Sequence, residues 1–291
     1  MRPTKIIFHR VTQPQGVSKY FLRRKINLAL FGVLLSICLS ACGNARAGRQ
    51  FELGQKLHTQ GAYLEAIRNW EIILSSWPKS RYADQALHRI GTTYYAELDQ
   101  PDRALDSFSR LVKDYPDSQY APQDEFLVAE IYRSQRQFAK ALAEYYRFLH
   151  KFPEDGRAPE VWYNMITCLF EVGQYDAMRT QAQDMMKKFP NSAFTPDCIF
   201  WIGESYYLEK DYAKAMSNFR DYLKKYPSGT MAYKAWLSLA RSLEESEQLQ
   251  EAIKLYQQLQ ARYPQDKIIQ ARLQSAQKRY ENRFGSIKPG P

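Results

Sequence analysis

The residue types that most often carry out catalysis are sparse in this chain of 291 residues. The 4 histidines, His9, His58, His88 and His150, stand far apart, and the sequence has no His-Glu-x-x-His, Cys-x-x-Cys or glycine-rich phosphate-binding motif. Nucleophilic, metal-dependent and phosphoryl-transfer chemistry all need such groups at fixed spacings. The sequence therefore predicts a protein that is not an enzyme and that holds no metal and no cofactor.

Cys42 is the residue whose surroundings predict a chemical modification. A basic cluster at residues 23–25 precedes an apolar run at residues 26–39, and two small residues then lead into the cysteine. An apolar run of about 14 residues has the length of a signal-peptide core and is short for a membrane-spanning helix. Small residues before the cysteine would let the backbone enter a peptidase site.

The ending Leu-Ser-Ala-Cys resembles the lipobox of bacterial lipoproteins. The resemblance implies a signal peptide over residues 1–41, cleavage before Cys42, a diacylglycerol thioether, and a palmitate-type acyl chain on the new amino group. Several acyl chains, at about 0.8 kcal/mol per buried methylene, give stable anchoring. Glycine at position 43, where an aspartate would imply inner-membrane retention, favours the periplasmic face of the outer membrane. Residues 42–50 are then a lipidated N-terminus and tether; the alternative is an uncleaved short anchor helix.

The remainder of the chain follows a repeat of 37 or 38 residues, marked by an aromatic residue directly before a proline. The marker prolines are Pro78, Pro116, Pro153, Pro190, Pro227 and Pro264. Because proline ends a helix, each repeat reads as a helix A, a short polar turn and a helix B. Self-similarity at this period predicts stacked helix pairs, with six repeats over residues 51–264, a capping helix at 265–285 and a disordered tail at 286–291.

The fifth repeat resembles the tetratricopeptide (TPR) pattern most clearly. The residues that carry the resemblance are Ile202, Gly203, Tyr206, Tyr212, Ala215, Phe219, Tyr222 and Pro227. The resemblance implies an all-α, right-handed superhelix of about six helix pairs. The fourth repeat departs from the pattern, because Met178 replaces the small residue of helix B and Ala182 replaces its aromatic residue. A large and a small side chain have exchanged positions, so the total side-chain volume is roughly conserved.

Two further cysteines, Cys168 and Cys198, lie on neighbouring A helices. Their repeat positions differ by seven residues, or about 10 Å along parallel helices, whereas a disulfide needs Cα atoms within about 7 Å. We therefore predict two buried thiols.

Two columns of residues, the fifth and twelfth of each helix A, are rich in aromatic side chains. In TPR proteins helix A lines the concave groove, so the resemblance implies a groove for a peptide or a partner helix. The candidate residues are Tyr95, Phe126, Arg133, Tyr163, Phe170, Phe200 and Tyr207. The alternative is that many of these rings pack between successive A helices.

The charge distribution gives no support for nucleic-acid binding. Residues 1–41 carry seven of the 41 basic residues and none of the 31 acidic ones, so the formal charge of +10 falls to +3 for the remainder. A nearly neutral surface does not attract a polyanion.

A lipid-anchored array of TPRs resembles two periplasmic families. One is the BamD type, a lipoprotein of the outer-membrane β-barrel assembly machine; the other is the CpoB type, which works with Tol-Pal and septal peptidoglycan synthesis. The lipobox favours the BamD type, and the regular repeats favour the CpoB type. A further alternative is another TPR lipoprotein that serves as an adaptor of an export system. The BamD resemblance implies a scaffold that holds a β-barrel protein with POTRA domains and presents unfolded outer-membrane proteins.

Overall fold

A computed structural model of the chain describes residues 42–285, and every regular element within them is helical. The thirteen helices are α1 (42–59), α2 (Tyr63–Ser76), α3 (Ala83–Thr92, continued by a π-helical turn at Thr93–Glu97), α4 (Pro101–Asp114), α5 (Ala121–Ser134), α6 (Phe138–Lys151), α7 (Ala158–Glu171), α8 (Tyr175–Lys188), α9 (Thr195–Leu208), α10 (Tyr212–Lys225), α11 (Ala232–Glu245), α12 (Leu249–Arg262) and α13 (Lys267–Phe284). The all-α prediction is confirmed. The predicted signal peptide and C-terminal tail lie outside the described residues.

The aromatic-proline markers end the B helices, as predicted. The amide of Tyr226 makes the last intrahelical bond, to the carbonyl of Tyr222 at 2.7 Å, and Pro227 has no N–H with which to continue. A short polar turn joins the A and B helices of each repeat, as predicted. Each contains one residue with positive φ, and the residues are Gly61, Asp99, Arg136, Gly173, Lys210 and Glu247.

The helices form two compact units, one ending at Tyr120 and one beginning at Ala121. We call their described parts the N-terminal body (residues 42–120) and the C-terminal body (residues 121–285). In each body the helices pack on their neighbours in the chain. In the C-terminal body α9 also packs on α7 and α11, so that neighbouring A helices lie side by side.

The A and B helices of a repeat cross where a small residue meets a large ring. A Cβ added to Gly203 would stand 2.6 Å from Cε1 of Phe219, and Gly54 and Gly91 face Trp70 and Phe108 in the same way. The ring positions are fully buried. This close approach explains why the TPR pattern demands glycine or alanine at this point of helix A.

The fourth repeat uses the opposite arrangement. Ile166 occupies the position of Gly203, and Ala182 occupies that of Phe219. Ile166, Met178 and Ala182 are all completely buried in one cluster. Met178 and Ala182, whose exchange of a large for a small residue within helix B was predicted, thus lie in the core, and Ile166 is a further large residue there that the prediction did not include.

The first helix differs from the sequence prediction. Residues 42–50 were expected to form a tether, but they are the first turns of α1, and Ala47 is completely buried. The reason is local packing, because Gly43 lies against the indole of Trp77, and Asn44 Oδ1 accepts a hydrogen bond of 3.0 Å from the Arg81 amide. Residues 42–50 thus belong to the first repeat, and Cys42 is exposed.

The last helix, α13, is the predicted cap. Asp266 is its N-cap residue and accepts bonds from the amides of Ile268 at 2.9 Å and Ile269 at 3.2 Å. The predicted inner residues Ile269, Leu273 and Ala276 are buried.

Candidate protein-binding surface

Six of the seven candidate surface residues retain some solvent exposure, and one does not. Tyr95, in the N-terminal body, is 39% exposed, and five candidates of the C-terminal body are partly buried: Phe126, Arg133, Tyr163, Phe170 and Tyr207. Phe200 is only 3% exposed, and its ring lies 5.9 Å from that of Phe219 and 6.5 Å from that of Tyr222. Phe200 is a core residue, and its assignment to the groove was wrong.

Four rings of the C-terminal body form a continuous cluster across α7 and α9. The ring of Phe170 lies 4.8 Å from that of Trp201, and Trp201 Nε1 donates a hydrogen bond of 3.3 Å to Tyr163 Oη. Phe194, at the start of α9, stacks on Tyr163 at 4.9 Å. Each of these side chains is partly buried, so one side of each ring is supported and another meets solvent.

A second part of this surface joins α9 to α11. The guanidinium of Arg241 lies 4.5 Å above the ring of Tyr207, and its Nη2 donates a bond of 3.0 Å to Tyr207 Oη. The Arg241 Nε is buried and has no hydrogen-bond partner among the described residues. Glu204, one turn before Tyr207, accepts a bond from Ser238 Oγ, and burial raises the pKa of its carboxyl.

We name Tyr163, Phe170, Trp201, Tyr207 and Arg241 the aromatic wall. Stacked rings of this kind are rigid and lose little conformational entropy on binding, which is why aromatic residues and arginine dominate binding hot spots. The polar groups are held in place by neighbours, so the surface is pre-organised.

Arg133 is a structural residue as much as a surface residue. Its Nε donates to Glu130 at 3.2 Å, and Glu130 also accepts bonds from Tyr145 Oη and, at 2.7 Å, from Asn164 Nδ2. The bond to Glu130 raises the pKa of Arg133. This network joins α5, α6 and α7, and it leaves Arg133 40% exposed.

The described residues offer little for bond-making chemistry. Cys168 and Cys198 are buried thiols, as predicted, and burial raises the pKa of each to about 12. Among the described residues no group of histidine, cysteine, aspartate and glutamate side chains is arranged to hold a metal ion. No helix between residues 42 and 285 combines the length and the apolarity that crossing a bilayer requires.

Trp201 is the aromatic wall residue that the sequence columns missed, and Arg241 also lies outside both columns. Its equivalents in the neighbouring repeats are Asn164 and Ser238, so its column is not aromatic. Trp201 contacts Phe170 and Tyr163. Only the packing of α7 against α9 places it on the wall.

Comparison with known proteins assigns the repeats. Models of the tetratricopeptide repeat match residues 85–118 and residues 206–277, one stretch in each body. The chain therefore contains TPRs and is a scaffold of the protein-interaction class. No protein of curated function is significantly similar to it in sequence.

Several solved TPR-type structures share the fold. The C-terminal part of a TPR-containing protein from Cytophaga hutchinsonii has a TM-score of 0.54 and 17% identity, covering 82% of this chain and 96% of that one. A TPR protein from Parabacteroides merdae has a TM-score of 0.53 and 13% identity, covering 82% and 93%. PilW, described as a widely conserved type IV pilus biogenesis factor, has a TM-score of 0.50 and 19% identity, covering 79% and 97%. At these identities the likeness concerns the fold.

Proposed function

We propose that this protein is a lipid-anchored periplasmic adaptor that binds an extended segment of a partner protein on the aromatic wall. The observation that carries the proposal is the pre-organised cluster of Phe170, Trp201 and Tyr163, whose ring and hydrogen-bond contacts span α7 and α9. Its mechanism is scaffolding: rigid helices present a surface, and no bond is made or broken.

The proposed location is the periplasmic face of the outer membrane. The support is the lipobox-like ending before Cys42, together with glycine at position 43. Cys42 is exposed, so that an acylated thiol would be accessible to a bilayer. The prediction is that the native N-terminal peptide begins at Cys42 and carries acyl chains, which mass spectrometry of that peptide measures. An unmodified Cys42 within an uncleaved chain would exclude the anchor.

The particular assembly we propose is a BamD-like role in outer-membrane β-barrel assembly. Its partners would be the barrel-insertion protein with POTRA domains and unfolded outer-membrane proteins, and nucleic acid would not be a partner. A CpoB-like organiser of Tol-Pal and peptidoglycan synthesis is the second candidate. It is favoured by the regularity of the repeats, since α4 to α12 are all helices of 14 residues.

Crosslinked affinity purification from native membranes tests both the wall and the assembly. The wall variant is Phe170→Ala with Tyr207→Ala. The matched control removes two exposed rings elsewhere, with Tyr146→Ala and Phe284→Ala, which are 46% and 61% exposed. Loss of two hot-spot rings at about 2 kcal/mol each lowers partner affinity by roughly 1,000-fold, so partner recovery should vanish for the wall variant only.

The recovered proteins decide between the assemblies. A β-barrel protein with POTRA domains supports the BamD-like role. Tol-Pal components or peptidoglycan synthases without it support the CpoB-like role, and pilus proteins would connect the chain to the function named for PilW. Equal recovery by the wall and control variants would refute the wall as the binding surface.

A further inference from the structure

The first repeat exposes an apolar position that the other five repeats bury. Leu53 of α1 is the seventh residue of helix A by repeat position, and it is 46% exposed. The equivalent residues are also apolar, but their exposures run only from 0% to 7%. They are Ile90, Val128, Met165, Ile202 and Leu239. Leu53 therefore marks a surface that is used for packing elsewhere in the array.

A groove in the fifth repeat shows what covers this position there. The groove has a volume of about 390 Å³, and Ile202 of α9 and Asp221 of α10 line it together with Met186 of α8. Helix α8 is helix B of the preceding repeat. A second side chain of α8, Arg179, donates a hydrogen bond of 2.7 Å to Glu209 at the end of α9. The occupant of this face is therefore a helix, which contacts the next repeat through residues seven positions apart.

The first repeat has the same face. Gln50 of α1 and Asn69 of α2 occupy positions whose equivalents in the fifth repeat line the groove. Gln50 Nε2 donates a hydrogen bond of 2.6 Å to Asn69 Oδ1, so α1 and α2 meet at this face. Ile72 of α2 takes the position of Asp221 and is 42% exposed. The face of the first repeat therefore presents two large aliphatic side chains to solvent.

Ile72 makes this face more apolar than its counterparts. The equivalent position is polar in each of the other five repeats, where the residues are Arg110, Arg147, Asp184, Asp221 and Gln258. A missing neighbour would account for the exposure of Leu53, because that position is apolar in every repeat. It does not account for an isoleucine at a position that is otherwise polar. An exposed apolar cluster of this kind indicates a contact surface.

We propose that the face formed by Leu53 and Ile72, which we name the end face, binds an amphipathic helix of a partner protein. The helix takes the place that α8 takes on the fifth repeat, so the interface continues the packing that already joins the repeats. Its anchors are apolar residues seven positions apart with a third between them, which is the pattern of helix-in-groove recognition. Within the chain, Met216 and Leu223 of α10 show the same spacing, and both are buried.

A second copy of the chain fits the end face less well than another protein does. In the C-terminal body each B helix is already covered by the helix that follows it, since α6 packs on α7, α8 on α9, α10 on α11 and α12 on the cap α13. Helix α2 packs on α3 in the same way. Releasing such a helix to another copy would expose side chains that are now buried, such as Met216 and Leu223.

Photo-crosslinking in native envelopes tests the occupant. Benzoylphenylalanine replaces Leu53, and the control replaces Ile268, which is 60% exposed on α13. We expect a crosslink from position 53, and not from position 268, to a segment of another protein with apolar residues at i, i+3 or i+4, and i+7. Mass spectrometry of the crosslinked peptide identifies that segment. A crosslink from position 53 to residues 1–41 of this chain, to a second copy or to a segment without this pattern overturns the inference, as does the absence of a crosslink.

Matched substitutions measure the contribution of Ile72. Ile72→Arg copies the second and third repeats, which have arginine at this position, so we expect the variant to fold, and circular dichroism checks this. With the crosslinker at position 53, Ile72→Arg should lower the crosslink yield roughly tenfold, because a cation replaces an aliphatic side chain that the partner would bury. Ile268→Arg, the same change elsewhere, should leave the yield unchanged. Equal yields in the two variants overturn the inference.

The end face is independent of the aromatic wall and of the anchor. The crosslink from position 53 should persist in the wall variant, Phe170→Ala with Tyr207→Ala. Equal partner recovery by the wall variant and its control refutes only the proposed function of the wall. An absent crosslink at position 53 in a protein whose wall variant loses its partner refutes only the end face.

Discussion

Exchanging the large and small residues at the crossing of the fifth repeat should reproduce the arrangement of the fourth. The perturbation is Gly203→Ile together with Phe219→Ala, which copies Ile166 and Ala182. Phe219 is completely buried, and a Cβ on Gly203 would meet three of its ring atoms at 2.6, 2.9 and 3.1 Å. The two positions therefore compete for the same space.

The expected changes in the free energy of unfolding follow from that contact. Phe219→Ala alone removes a buried ring and should cost about 3–5 kcal/mol. Gly203→Ile alone overpacks the crossing, which should cost about 1–3 kcal/mol of stability. Isoleucine has a better helix propensity than glycine, and this offsets roughly 0.5 kcal/mol of that cost. In the double variant the isoleucine fills the cavity left by the ring, so the total cost should be about 2 kcal/mol or less. The coupling energy is then at least about 1.5 kcal/mol in magnitude.

Native-state hydrogen exchange of α9 and α10 is the assay, because a repeat array opens locally and each helix reports its own free energy. The control cycle pairs Gly203→Ile with Tyr145→Ala, a fully buried ring of the third repeat. The control pair should be additive within about 0.5 kcal/mol. If the exchange pair is equally additive, the glycine and the ring do not share space, and the account of the crossing is wrong.

Three further predictions concern the core and the cap. First, the free energy of unfolding should fall as pH rises from about 9 to about 12. The pKa values of Cys168 and Cys198 are raised from 9.0 to about 12 in the folded protein, so the thiols of the unfolded chain lose their protons first. Urea titrations at alkaline pH should show a smaller fall for the variant in which both cysteines are alanine. Second, Tyr256→Phe should lower the free energy of unfolding by about 1–3 kcal/mol, because Tyr256 Oη donates a hydrogen bond of 2.9 Å to Glu244, which is 1% exposed. Urea unfolding measures this change, and an unchanged midpoint would show that the hydroxyl is dispensable. Third, Asp266→Ala should lower the free energy of unfolding by about 1 kcal/mol and speed amide exchange in α13, whereas Asp266→Asn should retain most of the cap. Hydrogen bonds from Tyr233 and from the cap amides lower the pKa of Asp266, so the advantage of the wild-type protein should disappear as pH falls below about 4.

The helix pairs could be predicted from the sequence because proline and the small crossing residues act locally. Proline lacks an N–H and therefore ends a helix, and glycine lacks a Cβ and therefore allows a close approach, wherever in the chain the residue stands. The structure accordingly places the B-helix ends, the turns and the exchanged core of the fourth repeat at the predicted positions. The helical state of residues 42–50 was not predictable in this way, because it depends on contacts of Gly43 and Asn44 with a loop more than 30 residues away.

One irregularity was visible in the sequence but was not interpreted. The first two marker prolines are 38 residues apart, one more than the others, and the extra residue falls between Gly91 and Ala104. The structure accommodates it as the π-helical turn Thr93–Glu97, which inserts one residue without breaking the helix. Tyr95, the exposed candidate of the N-terminal body, lies in this turn.

The aromatic wall was harder to predict, because a repeat position fixes where a side chain stands but not what covers it. Glu244 occupies the same column as Tyr207, yet it is buried, since it accepts a bond from Tyr256 and pairs with Arg279 of the capping helix at 3.3 Å. Packing against the capping helix therefore buries the last position of this column, and the aromatic wall ends at Arg241. Three neighbouring A helices, at about 8–10 Å each, span about 20 Å, which an extended segment covers with about six residues. The proposed function therefore predicts a partner segment of that length, with apolar side chains on alternate residues.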